Sequence, residues 1–223
     1  MRRLAAALPL ALLLLPAAAH AATVQADRAC YLETPQTTVT INGNGYTPAQ
    51  PYAVTLDGTA LTGGAGTMDA GGTMQGAFNP PALTAAQNQR TFTVGVSSAG
   101  VAATTQFTVT RFKAGFTPSQ GDPATLKVRF SVFGFSLAAP NPDVYLHYVT
   151  PGGKLKETIR LGKAGGQCGS IARTALRRLF PFKDPDHGKW ALQFDTKQAY
   201  THRVKGSSAL FYTVGVNVHR ATS

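Results

Sequence analysis

The sequence predicts an all-β protein of two antiparallel β-sandwich domains, the second of which carries one short helix. Three observations predict it. Short runs alternate between apolar and polar residues, clusters of Gly, Pro, Asn and Asp separate these runs, and charge divides sharply between the two halves of the 223-residue chain. Alternation places one face of each run in a core and the other in solvent. The predicted order is a signal peptide over residues 1–21, a first sandwich over 22–111 and a basic second sandwich over 112–223.

The first 21 residues are typical of a cleavable secretory signal peptide. Arg2 and Arg3 supply the positive start, residues 4–15 form an apolar run, and residues 19–21 (Ala-His-Ala) match the cleavage pattern. The apolar run is shorter than the ~20 residues that a membrane-spanning helix needs. We therefore expect a secreted protein without a membrane span, located outside the cell, in the cell wall or in the periplasm.

The runs predicted as strands of the first sandwich share this alternation. Their inward positions are Val39 and Ile41; Tyr52, Val54 and Leu56; Phe92, Val94 and Val96; and Phe107 and Val109. The glycine-rich segment 62–72 is predicted to form a loose hairpin. Residues 69–72 (Asp-Ala-Gly-Gly) have turn chemistry, and residues 73–78 follow as a candidate strand.

Turn motifs in this first half resemble those of bacterial immunoglobulin-like domains of the IPT/TIG kind. Residues 43–48 (Gly-Asn-Gly-Tyr-Thr-Pro) resemble their early G-x-G-F-x-P turn, residues 69–78 resemble their D-x-x-G-x-F hairpin, and residues 107–110 resemble their closing strand. The resemblance covers roughly residues 30–111 and consists mostly of turn residues. It implies an immunoglobulin-like sandwich used for spacing or surface binding, although a fold does not by itself determine a function.

The second half repeats the alternation and breaks it once. The apolar positions of its predicted strands are Leu126, Val128, Phe130 and Val132; Val144, Leu146 and Tyr148; Leu155, Ile159 and Leu161; Trp190, Leu192 and Phe194; and Tyr212, Val214, Val216 and Val218. Ser170 is a good N-cap and Ile171, Ala175 and Leu179 have helical spacing, so a short helix is predicted near residues 170–179. This half is also predicted to be an immunoglobulin-like sandwich, and it resembles only β domains of exported bacterial proteins.

Cys30 and Cys168 are the two cysteines, one in each predicted domain. Export implies an oxidising compartment, where an even cysteine count favours a disulfide. The alternative is two unpaired thiols, because sequence spacing cannot show that two cysteines are close. Residues 167–170 (Gln-Cys-Gly-Ser) resemble the active-site run of papain-like cysteine proteases. Ile171 stands where that family has its nucleophile, so the resemblance fails at the attacking sulfur.

No motif in the sequence points to catalysis or to a cofactor. It contains no G-x-S-x-G, no Walker loop and no dinucleotide fingerprint. Asp184, Asp186 and His187 share one loop, but their spacing is more typical of a turn than of a metal site. We therefore expect a protein that is not an enzyme and holds no cofactor or metal. An enzyme whose site is assembled from distant residues is the third class of hypothesis.

Positive charge is concentrated in the second half. Residues 22–111 carry three cations against four carboxylates, a formal net charge of −1, whereas residues 112–223 carry 16 cations against six carboxylates, a net charge of +10. Such asymmetry is typical of a domain that faces an anionic partner.

Seven of these cations are predicted to form one anion-binding patch on a strand and the short helix. They are Lys154, Lys156, Arg160, Lys163, Arg173, Arg177 and Arg178. Such a patch would bind phosphates, anionic headgroups or acidic polysaccharide with strong salt dependence, and nucleic acid is not the expected partner. The alternative is a solvated face balanced by scattered acids.

The leading hypothesis is a secreted, non-catalytic cell-envelope or extracellular protein whose basic second domain contacts an anionic envelope polymer. The second is a structural or adhesion module that binds another protein and no polymer.

Overall fold

The computed structural model describes residues 21–137, 139–203 and 210–219, and within them every regular element is a β-strand. This confirms the prediction of an all-β protein. Residues 1–20 of the predicted signal peptide lie outside the described residues.

Fifteen strands follow one another along the described chain. The first eight are β1 (Thr23–Ala26), β2 (Cys30–Leu32), β3 (Val39–Asn44), β4 (Pro51–Leu56), β5 (Thr59–Thr67), β6 (Met74–Phe78), β7 (Gln89–Ser98) and β8 (Val101–Thr110). The others are β9 (Lys113–Thr117), β10 (Lys127–Phe133), β11 (Asp143–Val149), β12 (Leu155–Lys163), β13 (Arg177–Arg178), β14 (Gly188–Asp195) and β15 (Phe211–Val218).

The first eight strands form two sheets that share one core. The strand order is β1-β3-β6 in one sheet and β2-β8-β7-β4-β5 in the other, and the pairing is antiparallel except between β2 and β8. Val39 and Ile41 of β3 are buried in the same cluster as Val94 of β7 and Phe107 of β8. The predicted alternation is confirmed along β3 and β7, where the inward positions are buried and most of their neighbours are more exposed. At the end of β8 it is not seen, because residues 107–110 are all buried.

The last seven strands also form two sheets around a second core. Their orders are β13-β10-β9 and β12-β11-β14-β15. Phe130 of β10, Leu146 of β11 and Trp190 of β14 are fully or almost fully buried in one cluster, and the rings of Phe180 and Trp190 lie 5.1 Å apart. The two clusters support a division between residues 111 and 112, which we retain as a proposal.

The short helix predicted near residues 170–179 does not form. Ile171 instead exchanges two backbone hydrogen bonds of 3.0 Å with Val132, and Thr174 bonds to Phe130 through its backbone N–H and its side-chain oxygen. Helical spacing in so short a segment is a weak preference. Hydrogen bonds to buried backbone groups of β10 outweigh it, because those groups would otherwise lack partners.

The predicted hairpin over residues 62–72 also differs from the structure. β5 pairs with β4, whereas β6 pairs with β3 in the other sheet, so the turn between β5 and β6 carries the chain across the sandwich. The predicted turn chemistry is present, since Asp69 Oδ1 accepts hydrogen bonds of 2.8 Å from the backbone N–H groups of Gly71 and Thr73.

Candidate functional site

A disulfide between Cys30 and Cys168 joins the two halves of the molecule. The sulfur atoms are 2.04 Å apart and the Cα atoms 5.1 Å apart, so the predicted pairing is confirmed. Cys30 lies on β2 beside β8, and Cys168 lies in a tight turn over residues 165–170. Next to the bond, the Thr108 hydroxyl donates to Gln167 Oε1 over 2.7 Å. The turn is therefore held against the first-half sheet by one covalent and one hydrogen bond.

The seven cations predicted to form one patch are divided between two sheets. Lys156, Arg160 and Lys163 lie on β12 with Lys154 just before it, while Arg177 and Arg178 form β13 with Arg173 just before it. Both β12 and β13 are edge strands of their sheets. Because the helix is absent, the three arginines do not share a helical face.

Asp143 pairs with two cations at the end of β12. Its Oδ1 atom accepts hydrogen bonds from Arg160 Nη2 at 2.6 Å and Nε at 3.1 Å, and Lys163 Nζ lies 3.7 Å away. The hydrogen bond from Arg160 holds the pKa of Asp143 below its usual value, and the same contact raises the pKa of Arg160. For Arg160 and Lys163, the structure therefore matches the second interpretation given above, a solvated face whose charges are balanced by acidic residues.

Two further members of the predicted patch turn toward the edge of the second core. Lys156 Nζ lies 5.8 Å from the centre of the Phe182 ring. Arg177 stands opposite the buried Val128 and is half-buried itself. Burial raises the pKa of the Tyr148 hydroxyl, an effect that the nearby positive charge of Arg177 opposes. Lys156 therefore lies over an aromatic ring beside the second core, and Arg177 lies on the core side of β13.

Four cations lie on strands β10 and β13 or on the segment before β13, and we call them the basic face; two of them, Arg173 and Arg178, belong to the predicted patch. They are Lys127, Arg129, Arg173 and Arg178. Lys127 lies directly opposite Arg178 in the antiparallel pairing of β10 with β13. Arg129 is two residues further along β10 on the same side, because the intervening Val128 points into the core. Arg129 Nη1 also donates to the Thr174 carbonyl over 3.1 Å, which positions it beside the residue that follows Arg173.

Carboxylates do not neutralise the basic face. All ten side-chain carboxylates of the sequence fall within the described residues, and there none of these four cations forms a salt bridge. Alternation already places Lys127 and Arg129 outward. Their proximity to Arg178 was missed because it depends on a pairing between distant parts of the sequence, which leaves no local signal.

A buried polar cluster occupies the outer side of β11 and β14. His147 is fully buried, with Nδ1 2.8 Å from the Thr158 hydroxyl oxygen and Nε2 3.1 Å from the Lys197 carbonyl oxygen. Burial lowers the pKa of His147 despite the nearby negative charge of Asp195. Asp195 in turn accepts a hydrogen bond of 3.2 Å from Arg203 Nε. Both ring nitrogens of His147 are satisfied internally, which indicates a structural role.

The loop that contains Asp184, Asp186 and His187 is irregular and bends at Asp184 and at His187. Asp184 has a φ of 49°, and Trp190 Nε1 donates to the Asp186 carbonyl over 2.8 Å. A pocket of about 380 Å³ opens beside it and is also lined by Asp122. Among the described residues, no three His, Cys, Asp or Glu side chains are placed to hold a metal ion.

The described part of the chain contains no helix with the length and apolarity needed to cross a membrane.

Comparisons with known proteins do not assign this chain to a family. No family model and no curated protein matches the chain. Among solved structures, the D0-D1 domain of intimin is similar with a TM-score of 0.35 and 13% identity, over 87% of this chain and 96% of that chain. A score of this size does not establish a common topology. The IPT/TIG-like assignment remains a proposal.

Proposed function

We propose that this protein is a secreted, non-catalytic binding protein of the cell envelope or extracellular space, whose basic face contacts an anionic envelope polymer. The observation that carries the proposal is the pairing of Lys127 with Arg178, two cations on one outward face without a carboxylate partner. Like charges directly opposite each other in an antiparallel sheet are destabilising. An anion bound between them would convert that repulsion into attraction.

The spacing of the basic face fits a polymer better than a single ion. Neighbouring positions on and between strands are about 5 to 7 Å apart. Arg129 and Arg173 extend the positive charge beyond the Lys127–Arg178 pair, so successive anionic groups of one chain could each meet a cation. Guanidinium groups make two parallel hydrogen bonds to phosphate or carboxylate, and the attraction between exposed charges weakens as salt rises.

The disulfide supports the extracellular part of the proposal. Disulfides persist in oxidising compartments and are rare in the cytosol, and Cys30–Cys168 connects the two halves covalently. The first half, proposed as an IPT/TIG-like domain, would then act as a spacer or adhesive module and the second as the polymer-binding module.

The test is salt-dependent retention of the mature, oxidised chain on heparin and polyglutamate resins. We expect Lys127→Gln/Arg178→Gln to elute at clearly lower salt than the wild type. The control is Lys154→Gln/Lys189→Gln, which removes the same net charge at two exposed positions outside the basic face. Equal elution of the two double variants would contradict the assignment of the basic face.

A protein-binding function is the second candidate, and strand β5 favours it. This nine-residue strand is the edge of the five-stranded sheet and contains no charged residue and no proline. Natural edge strands usually carry such residues to prevent further pairing, and an unprotected edge can accept a strand from a partner. If this candidate is correct, association with the envelope does not change with salt or with the Lys127 and Arg178 substitutions. The substitution Thr62→Lys on β5 should abolish the association.

A further inference from the structure

We propose that the first half contains a separate binding site for a neutral saccharide. The site is a groove of about 340 Å³ where strands β3 and β6 of one sheet approach β4 and the end of β5 of the other. Its polar lining includes Asn42, Asn44, Tyr52, Thr67 and Gln75. The volume lies at the lower end of the range of roughly 300–1,000 Å³ that small-molecule sites occupy.

A glycine places the aromatic ring in this groove. Tyr52 on β4 stands opposite Gly66 on β5, and a Cβ atom at Gly66 would lie only 2.6 Å from the Tyr52 hydroxyl oxygen. Any larger residue at position 66 would displace the ring. Tyr52 is half-buried, so it offers both ring surface and a hydroxyl group to the groove. An aromatic ring with a polar end suits a ligand that combines C–H and hydroxyl groups.

Two amide side chains are oriented toward each other and retain unused hydrogen-bonding groups. Gln75 Nε2 donates to Asn42 Oδ1 over 3.1 Å, which leaves Asn42 Nδ2 as a donor and Gln75 Oε1 as an acceptor. Within the described residues, the side chains of Asn44, Tyr52 and Thr67 make no hydrogen bond to other protein groups. The groove therefore offers several unoccupied donors and acceptors around one ring.

The charge of the lining points to an uncharged ligand. Lysine and arginine are absent from the residues that line the groove. Its carboxylate, Asp69, accepts hydrogen bonds from the backbone N–H groups of Gly71 and Thr73 and from the Thr73 hydroxyl, so it serves the turn. A phosphate or carboxylate ligand would find no cation to balance it, whereas sugar hydroxyls can both donate to and accept from amides and hydroxyls.

The test is an amide NMR titration of the mature, oxidised chain with three neutral disaccharides: maltose, cellobiose and N,N′-diacetylchitobiose. We expect saturable shift changes with at least one of them, confined to residues around 42–44, 52 and 66–75 and unaffected by added salt. Salt insensitivity separates this site from the basic face, whose polymer binding must weaken with salt. Either proposal can therefore fail alone.

Two variants and one control complete the test. Gly66→Ala, which displaces Tyr52, and Asn42→Ala/Gln75→Ala, which removes exposed amides, should each weaken binding about tenfold or more, the effect of losing one or two hydrogen bonds. Thr59→Ala, on β5 outside the groove, should bind as the wild type does. No saturable shifts with any of the three sugars, or undiminished binding by the well-folded Asn42→Ala/Gln75→Ala chain, would overturn the proposal.

Discussion

Lys127 and Arg178 face each other directly across the antiparallel pair of β10 and β13, and neither forms a salt bridge with a carboxylate of the described chain. Residues in this relationship have Cβ atoms about 5 Å apart, and two positive charges at that distance oppose pairing. The sheet tolerates the pair because Val128, between Lys127 and Arg129, is completely buried in the second core. Removing one of these positive charges should therefore raise the stability of the protein and weaken its binding of an anionic ligand.

Lys127→Glu should raise the free energy of unfolding by about 0.2–1 kcal/mol, because it places opposite charges across the pair. The same substitution should lower retention on heparin. Urea unfolding can be followed by the fluorescence of Trp190, the one tryptophan. Lys154→Glu, in an exposed turn, controls for the change in net charge. A loss of stability in Lys127→Glu that is absent from Lys154→Glu would contradict this description of the pair.

Reducing the Cys30–Cys168 bond should lower the free energy of unfolding by about 2–5 kcal/mol. The bond closes a loop of 138 residues, so the unfolded chain gains much freedom when it is cut. Urea unfolding with and without reductant measures the effect. Cys30→Ser/Cys168→Ser provides the control, since reductant should not change its stability. An unchanged unfolding midpoint of the wild type under reductant would show that the bond contributes nothing.

The buried His147 predicts a pH dependence of stability. Burial lowers the pKa of His147 in the folded chain below its ordinary value of 6.5, whereas the unfolded imidazole titrates near that value. Below pH 6.5 the unfolded state therefore binds more protons, so the free energy of unfolding falls as the pH is lowered. Unfolding curves at about pH 7.5 and 5.5 should show this loss.

His147→Gln should reduce that loss, because glutamine retains polar atoms and does not titrate in this range. His187→Gln, at an exposed loop position, is the matched histidine-to-glutamine control. If the free energy of unfolding depended on pH equally in His147→Gln and in the wild type, His147 would not be the cause of that dependence.

Arg111 should not be replaceable by lysine. Its guanidinium donates to Glu33 Oε2 at 2.6 Å and to the carbonyl oxygens of Gln87 at 2.9 Å and Leu83 at 3.0 Å. A lysine ammonium cannot reproduce this planar set of donors. Arg111→Lys should therefore cost about 1–3 kcal/mol of unfolding free energy.

The contact with Arg111 also holds the pKa of Glu33 below its usual value, so its contribution is present at neutral pH and is lost in acid. Arg90→Lys, in the more exposed pair with Asp57, is a matched control with a smaller expected effect. If Arg111→Lys and Arg90→Lys lowered the free energy of unfolding equally, the hydrogen bonds of the Arg111 guanidinium would have no special importance for stability.

The local alternation of apolar and polar residues was sufficient to predict most strands of this protein. Val94 and Val96 of β7, or Val128 and Phe130 of β10, repeat every second residue, and that period by itself requires an extended chain with one buried face. Two of the strands that sequence analysis missed, β2 and the two-residue β13, are too short to show a period.

The candidate sites depended on contacts between distant residues. Two cysteines in an oxidising compartment favour a disulfide, but their distance is set by the docking of the 165–170 turn on β8. Likewise, the grouping of Asn42 with Tyr52 in one groove requires two different sheets to meet. No periodicity in the sequence encodes either relationship.

By itself, the sequence determined that the chain forms β-strands, which of their faces are apolar and which half carries the positive charge, because these properties belong to single residues and their immediate neighbours. Only the tertiary structure decided that residues 170–179 run along β10 instead of forming a helix and that Lys127 meets Arg178. The physical reason is that backbone hydrogen bonds and apolar burial between distant segments outweigh weak local preferences and the repulsion between like charges once a core has brought those segments together.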